Sequence, residues 1–238
     1  PRRPLRLPVH YTGYVVPSRE TEAAAPVRER HLLVSAGGGI VGQALFDAVL
    51  DARALLPDPP PLRIVAGPFL PEPQWRALQA RVARHTDVTL LRQVPDMVAE
   101  MRRARASISQ CGYNTALDIL VAGVPALVVP YATATENEQG ERAVRLAALG
   151  VMQTLAPARL DAPTLASAMA ALQRFRPASA RLGLDGAAAS AACLHRLHLA
   201  DLGGRSECLG LAEVADIDLA TPAARAAPAT PVDCALLR

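Results

Sequence analysis

Between residues 109 and 118 the chain reads Ser109-Gln-Cys111-Gly112-Tyr-Asn114-Thr115-Ala-Leu-Asp118, which sets an anion site and a carboxylate one helical turn apart. Gly112 lets the backbone turn sharply out of the apolar run 105–109 and into a helix that starts near Asn114. A helix start offers backbone N–H groups and the positive end of the dipole to a phosphate. Asn114 and Asp118, one turn apart, project from the same face about 6 Å apart along the axis. That offset suits a nucleoside diphosphate, with its phosphates at the helix tip and its ribose one turn along. A plainer reading exists: an Asp early in a helix is also a dipole partner, and a Gly before a helix is often only a turn. Taken alone, the segment leaves both open.

Two further segments bear on the choice. Val34-Ser35-Ala-Gly37-Gly38-Gly39-Ile-Val-Gly42 places glycines between a strand and a helix, where the backbone can approach a phosphate or another domain closely. Its spacing fits neither the Gly-x-Gly-x-x-Gly dinucleotide fingerprint nor the Gly-Lys-Ser/Thr of a P-loop, which argues against NAD and against ATP hydrolysis. Glu138 and Gln139, after the polar loop 131–137, have the hydrogen-bonding groups that sugar hydroxyls require. Thr135 followed by Glu138 also fits a capping box, so this segment too has two readings.

Other combinations are weaker. His195 and His198 have a metal-binding spacing, but no second pair of ligands is evident, and no metal or cofactor is expected. Ser35, Ser107 and Ser109 lack a Gly-x-Ser-x-Gly elbow, which argues against a serine hydrolase. Arg102, Arg103 and Arg105 read as a solvated face that could meet acidic lipid headgroups.

The elements that must position these residues alternate strand and helix. Strands are predicted at 31–35, 62–66, 87–91, 105–109, 126–131 and 151–155. Helices are predicted at 41–56, 73–84, 96–103, from 114 to the Gly123-Val-Pro125 stop, 138–149 with Gly150 as its cap, 162–175 and 187–199. Such alternation predicts an α/β fold, a Rossmann-like parallel sheet with helices on both faces, whose ligands bind beyond the carboxyl ends of the strands.

Composition sets the outer limits. With 238 residues, 51% of them hydrophobic, the chain can bury one sizeable core. A net charge of +3, scattered Arg, three Phe, four Tyr and one Trp argue against nucleic-acid binding. Four cysteines without Cys-x-x-Cys spacing, and no signal-peptide or membrane-spanning run, predict a cytoplasmic protein. Residues 1–30 read as a linker or the remnant of a preceding domain, 31–200 as the ligand-binding domain, and 201–238 as a low-complexity tail expected to be disordered. A first Met at Met97 suggests the back part of a longer protein.

Together with Arg92-Gln-Val94-Pro-Asp-Met97, these segments resemble the C-terminal, donor-binding half of B-type glycosyltransferases. They are similar to the family containing the bacterial peptidoglycan enzyme that moves N-acetylglucosamine onto lipid I, and to a group of predicted glycosyltransferases related to it. The likeness runs over about residues 31–172. It centres on Ser-x-x-Gly-x-x-Thr-x-x-Asp, Ala-Gly-Val-Pro-Ala-Leu-Val-Val-Pro and Glu-Gln-x-x-Arg-Ala. It implies an inverting, metal-independent hexosyl transfer from a UDP-sugar, with UDP-N-acetylglucosamine the donor it points to, next to the inner membrane. Val94 would present backbone groups to uracil, Cys111, Gly112, Asn114 and Thr115 would hold the diphosphate, Asp118 the ribose hydroxyls, and Glu138 and Gln139 the sugar. The acceptor and the general base would belong to a missing N-terminal domain. Asp118 stands where the lipid I enzyme carries Glu, and the Gly37–Gly39 loop lacks that enzyme's Ser-Gln pair. A nucleotide-sugar hydrolase or epimerase of the same fold, and a non-catalytic nucleotide-binding remnant, are the alternatives.

Overall fold

The computed structural model describes residues 9–16, 28–133, 136–179 and 183–202. Thr135 of the expected capping box, and the expected tail from residue 203 on, lie outside them. By its contacts the chain forms two units, Arg19–Ala180 with Ala235–Arg238, and Pro1–Ser18 with Arg181–Cys234.

The larger unit alternates β1 (Leu32–Ser35), α1 (Gln43–Arg53), β2 (Leu62–Val65), α2 (Glu72–Val82), β3 (Val88–Leu91), α3 (Met97–Arg103), β4 (Ala106–Ser109), α4 (Tyr113–Ala122), β5 (Ala126–Val128), α5 (Glu138–Ala148), β6 (Gln153–Thr154) and α6 (Ala162–Leu172). The strands form one six-stranded sheet in the order β3-β2-β1-β4-β5-β6. Every pair is parallel, with Val34 of β1 in register with both Ile64 and Ile108. This is the Rossmann-like α/β architecture that the alternation predicts.

The central strands β1 and β4 are buried along their whole length, as strands covered on both faces must be. On one face Leu32, Val34, Ile64 and Ile108 join Leu45, Phe46 and Val49 of α1, Leu78 of α2, and Leu165 and Met169 of α6 in one hydrophobic cluster. Alternate residues point the other way, so Leu33, Ser107 and Ser109 leave this cluster. Right-handed crossovers place α3 and α4, which pack on each other, on that second face.

Local chemistry sets where the elements stop. Asp96 and Asp161 cap α3 and α6 by accepting from Ala99 N (2.9 Å) and Thr164 N (2.8 Å). Gly123 closes α4 in the left-handed conformation, φ 60°. β5 ends at Val128, earlier than the predicted 131, because Pro130 has no N–H to continue a ladder. Leu149 rather than Gly150 caps α5, with Gly150 following at φ 70°. At the other end of α5, Asn137 is the N-cap and makes no side-chain cap bond.

The smaller unit is built on α7 (Gly186–Leu202). Residues 9–16, within the segment read as a linker or remnant, make an antiparallel bridge between Val15 and Asp185. Tyr14 N donates to Gly183 O (2.7 Å) and Gly186 N to Tyr14 O (2.9 Å).

Phe46 is the largest aromatic side chain buried in the cluster. Phe46→Ala is expected to lower unfolding free energy by about 3–5 kcal/mol, measured by urea denaturation of the whole chain.

Candidate functional site

The strand order reverses between β1 and β4, so the chain leaves these neighbouring strands toward opposite faces of the sheet. Their loops diverge and leave a crevice at the carboxyl ends, the place where open α/β sheets bind ligands. A cleft of about 230 Å³ lies there, walled by residues 36–41 after β1, by Gln110, Gly112 and Thr115 after β4, and by Gln139 of α5.

Glycine is required where the first wall meets the β2–α2 loop, because two main chains touch there. Phe69 N donates to Gly38 O (2.8 Å), and a Cβ on Gly67 would stand 2.5 Å from the Gly38 carbonyl carbon. Gly67 also takes φ 94°, a region that side-chain-bearing residues rarely adopt. Above this contact the Phe69 ring lies against Gly38, and Ile40 and Phe69 are exposed. Arg92 steadies the second loop from the end of β3, donating to Leu70 O (2.8 Å) with its guanidinium 4.9 Å from the centre of the Trp75 ring.

The second wall is tied to the first by Gln110, whose Nε2 donates to Val41 O (2.9 Å) across the switch point. Gly112 is the N-cap of α4 and has no side chain with which to cap the first turn. The tip therefore faces the cleft without a competing side-chain acceptor. Thr115, one turn in, is buried and lines the same cleft.

From behind, α5 grips the turn before α4. Gln139 Oε1 accepts from Cys111 N (3.1 Å) and from Tyr131 N (3.0 Å), which leaves its NH₂ group as the polar end available to the cleft. Arg142 Nη1 donates to Cys111 O (2.8 Å), and its Nη2 pairs with the Glu138 carboxylate. Burial pushes the Cys111 thiol up to about 11, against an opposing pull from the Arg142 charge.

The predicted residues thus distribute unevenly. Gly37, Gly38, Gly39, Gly112, Thr115 and Gln139 wall one cleft. Ser35, Ser109 and Cys111 are buried at the strand ends, Asn114 is exposed at the α4 tip, and Asp118 is partly buried one turn further on. Glu138 is exposed at the start of α5, and Val94 sits half-buried in the β3–α3 loop, outside the cleft wall. The Cys111 N–H is already taken by Gln139, so the turn can offer a phosphate only the groups that follow it. Sequence reasoning passed over Gln110 and Arg142. Among the described residues no three His, Cys, Asp or Glu side chains converge, and His195 and His198 are exposed on α7.

A cleft at the switch point of a parallel sheet, walled by a Gly-rich loop and an uncapped helix start, is a setting in which an α/β domain can take a phosphate-bearing ligand. Residues 36–190 match the model of the glycosyltransferase family 28 C-terminal domain, and the chain belongs to that family. It is 34% identical over 179 residues to the UDP-N-acetylglucosamine–N-acetylmuramyl-(pentapeptide) pyrophosphoryl-undecaprenol N-acetylglucosamine transferase of Mesorhizobium japonicum, covering 68% of this chain and 48% of that protein. The protein of the same name from Brucella anthropi is also 34% identical, over 69% of this chain and 48% of its own length. The chain therefore spans about half the length of the curated relatives it matches. In fold it is similar to Acinetobacter baumannii MurG (TM-score 0.52, 22% identity, 76% of this chain and 50% of that one). It is equally similar to the calicheamicin glycosyltransferase CalG4 (TM-score 0.52, 20% identity, 81% and 49%).

Two outcomes follow from this geometry. Gly67→Ala is expected to disturb the Gly38 loop and lower the melting temperature, because Gly67 combines a positive φ with backbone contact. A variant melting like the parent would show that the loops are not in contact. In the native chain at pH 8, iodoacetamide is expected to leave Cys111 unmodified and to label it only after unfolding, as read by peptide mass spectrometry.

Proposed function

We propose that this chain is the donor-binding half of a glycosyltransferase that takes a UDP-sugar, with UDP-N-acetylglucosamine as the donor, for inverting and metal-independent transfer of the hexose. The observation that carries the reading is the cleft at the β1/β4 switch point, where the Gly37–Gly39 loop faces the start of α4. Family membership and the names of the relatives support the same donor.

In this reading the diphosphate lies against the α4 tip at Gly112, Asn114 and Thr115, where N–H groups and the helix dipole favour negative charge. Asp118, one turn along the same helix, accepts from the ribose hydroxyls, and the backbone at Val94 faces the uracil edge. Gln139 offers its NH₂ group and Glu138 its carboxylate to hydroxyls of the sugar. As the bond from sugar to diphosphate breaks, negative charge grows on the departing phosphate oxygen. The helix tip is already oriented to stabilise that charge, which is the role a metal ion plays in other sites.

The acceptor and the base that removes its proton are assigned to the part of the relatives that this chain does not match. Relatives named for a pyrophosphoryl-undecaprenol acceptor support a site of action beside a membrane on its cytoplasmic side. No helix among the described residues is long and apolar enough to cross one. A hydrolase or epimerase would need an acid or base next to the sugar, and the carboxylate assigned to the sugar in this reading, Glu138, is paired with Arg142.

Calorimetry with UDP, UDP-N-acetylglucosamine, GDP, dTDP and ADP tests the reading. Selective UDP binding is expected, weakened about 10–100-fold in Asp118→Ala through loss of charge-assisted hydrogen bonds. Sugar transfer by these residues alone is expected to be negligible. Equal affinity for all five nucleotides, or none by a folded protein, would remove the donor assignment.

A further inference from the structure

Arg142 is 2% exposed, yet it sits one turn from the surface end of an amphipathic helix where an i,i+4 ion pair would ordinarily be solvated. Its guanidinium instead turns inward beneath the turn that leads into α4. One Nη holds the Cys111 carbonyl at 2.8 Å, the other holds the Glu138 carboxylate, and the Tyr113 ring lies 5.7 Å from the guanidinium carbon. Gln139, next to Glu138 on α5, takes the N–H of the same Cys111 at 3.1 Å. Both polar groups of the Cys111 main chain are thereby fixed from α5, immediately before the glycine that starts α4.

Stability alone does not account for this arrangement. Burying a guanidinium is costly, and Arg142 Nε has no hydrogen-bond partner among the described residues. An apolar side chain would fill the same space at less cost. What only the planar fork provides is two fixed directions at once, toward the turn and toward Glu138.

We infer that Arg142 is the positioning residue of the site: it locks the α4 tip and the Glu138 carboxylate into one rigid unit, so that diphosphate and sugar are presented in a fixed relation. The inference rests on the donor reading of this cleft. Arg142 touches neither ligand group itself and acts through Cys111 and Glu138. Displacing a supporting residue of this kind loosens the binding groups in front of it, with an effect on the order of tenfold or more in affinity.

The test uses the whole chain, with Arg142→Met, which keeps bulk without charge, and Arg142→Lys, which keeps charge without the fork. UDP and UDP-N-acetylglucosamine affinities are measured by calorimetry well below the melting temperature of each variant. Arg142→Met is expected to weaken UDP about tenfold and to lose any added affinity due to the sugar. Arg142→Lys is expected to recover UDP binding in part but not that increment, because one ammonium cannot hold both partners. If Arg142→Met fails to fold, the Arg142→Lys increment alone decides. A folded variant with both affinities equal to the parent's, or Arg142→Lys restoring both in full, overturns the inference while leaving the donor reading in place. A parent chain that binds neither ligand overturns that reading and this inference with it.

Discussion

The reversal of strand order between β1 and β4 is the constraint from which the rest of the site follows. A right-handed crossover sends each chain to a set side of the sheet, so two neighbouring parallel strands with crossovers in opposite directions must part at their carboxyl ends. Nothing in the sheet fills the gap. The two loops that border it carry the residues whose chemistry suits a phosphate: three glycines on one side, and a glycine-capped helix start on the other. Buried Val34 and Ile108, in register across that boundary, hold the mouth at a fixed width from below.

The walls of the gap are held by main-chain contacts more than by side-chain packing. Gly38 and Gly67 meet backbone to backbone, Gln110 spans from one loop to the carbonyl of Val41 in the other, and α5 grips Cys111 through Gln139 and Arg142. Each contact orients a peptide group that would otherwise be free to rotate. Orientation of this kind matters more to a phosphate site than apolar burial does, since the ligand is bound by N–H directions.

Most of the fold was legible because its signals are local. Apolar runs of four or five residues bounded by glycine and proline mark the strands, and Asp96, Asp161 and Gly123 mark helix ends by chemistry that acts within one turn. The helix tip at 112–118 was readable for the same reason. What stayed hidden depends on partners distant in sequence. Gln139 takes its two N–H groups from Cys111 and Tyr131, which come together only when β4 and β5 lie side by side. Arg142 gave no signal of its own, because the spacing Glu138 to Arg142 says nothing of which way a side chain four residues on will turn. Residues 187–199 have the same Ala- and Leu-rich pattern as 162–175, so composition could not tell that α7 belongs to a separate unit with residues 9–16.

The Gly38–Gly67 contact also bears on how such a site can change over time. A Cβ on Gly67 would run into the main chain of Gly37 and Gly38, so that glycine cannot be replaced without moving a loop, and the contact it makes is closed to gradual variation. Ile40 and Phe69 stand beside that contact with most of their surface exposed, the Phe69 ring lying over Gly38. Variation is thereby channelled to the rim: one frozen platform can carry many different edges, and the edges can be exchanged one residue at a time while the platform stays as it is.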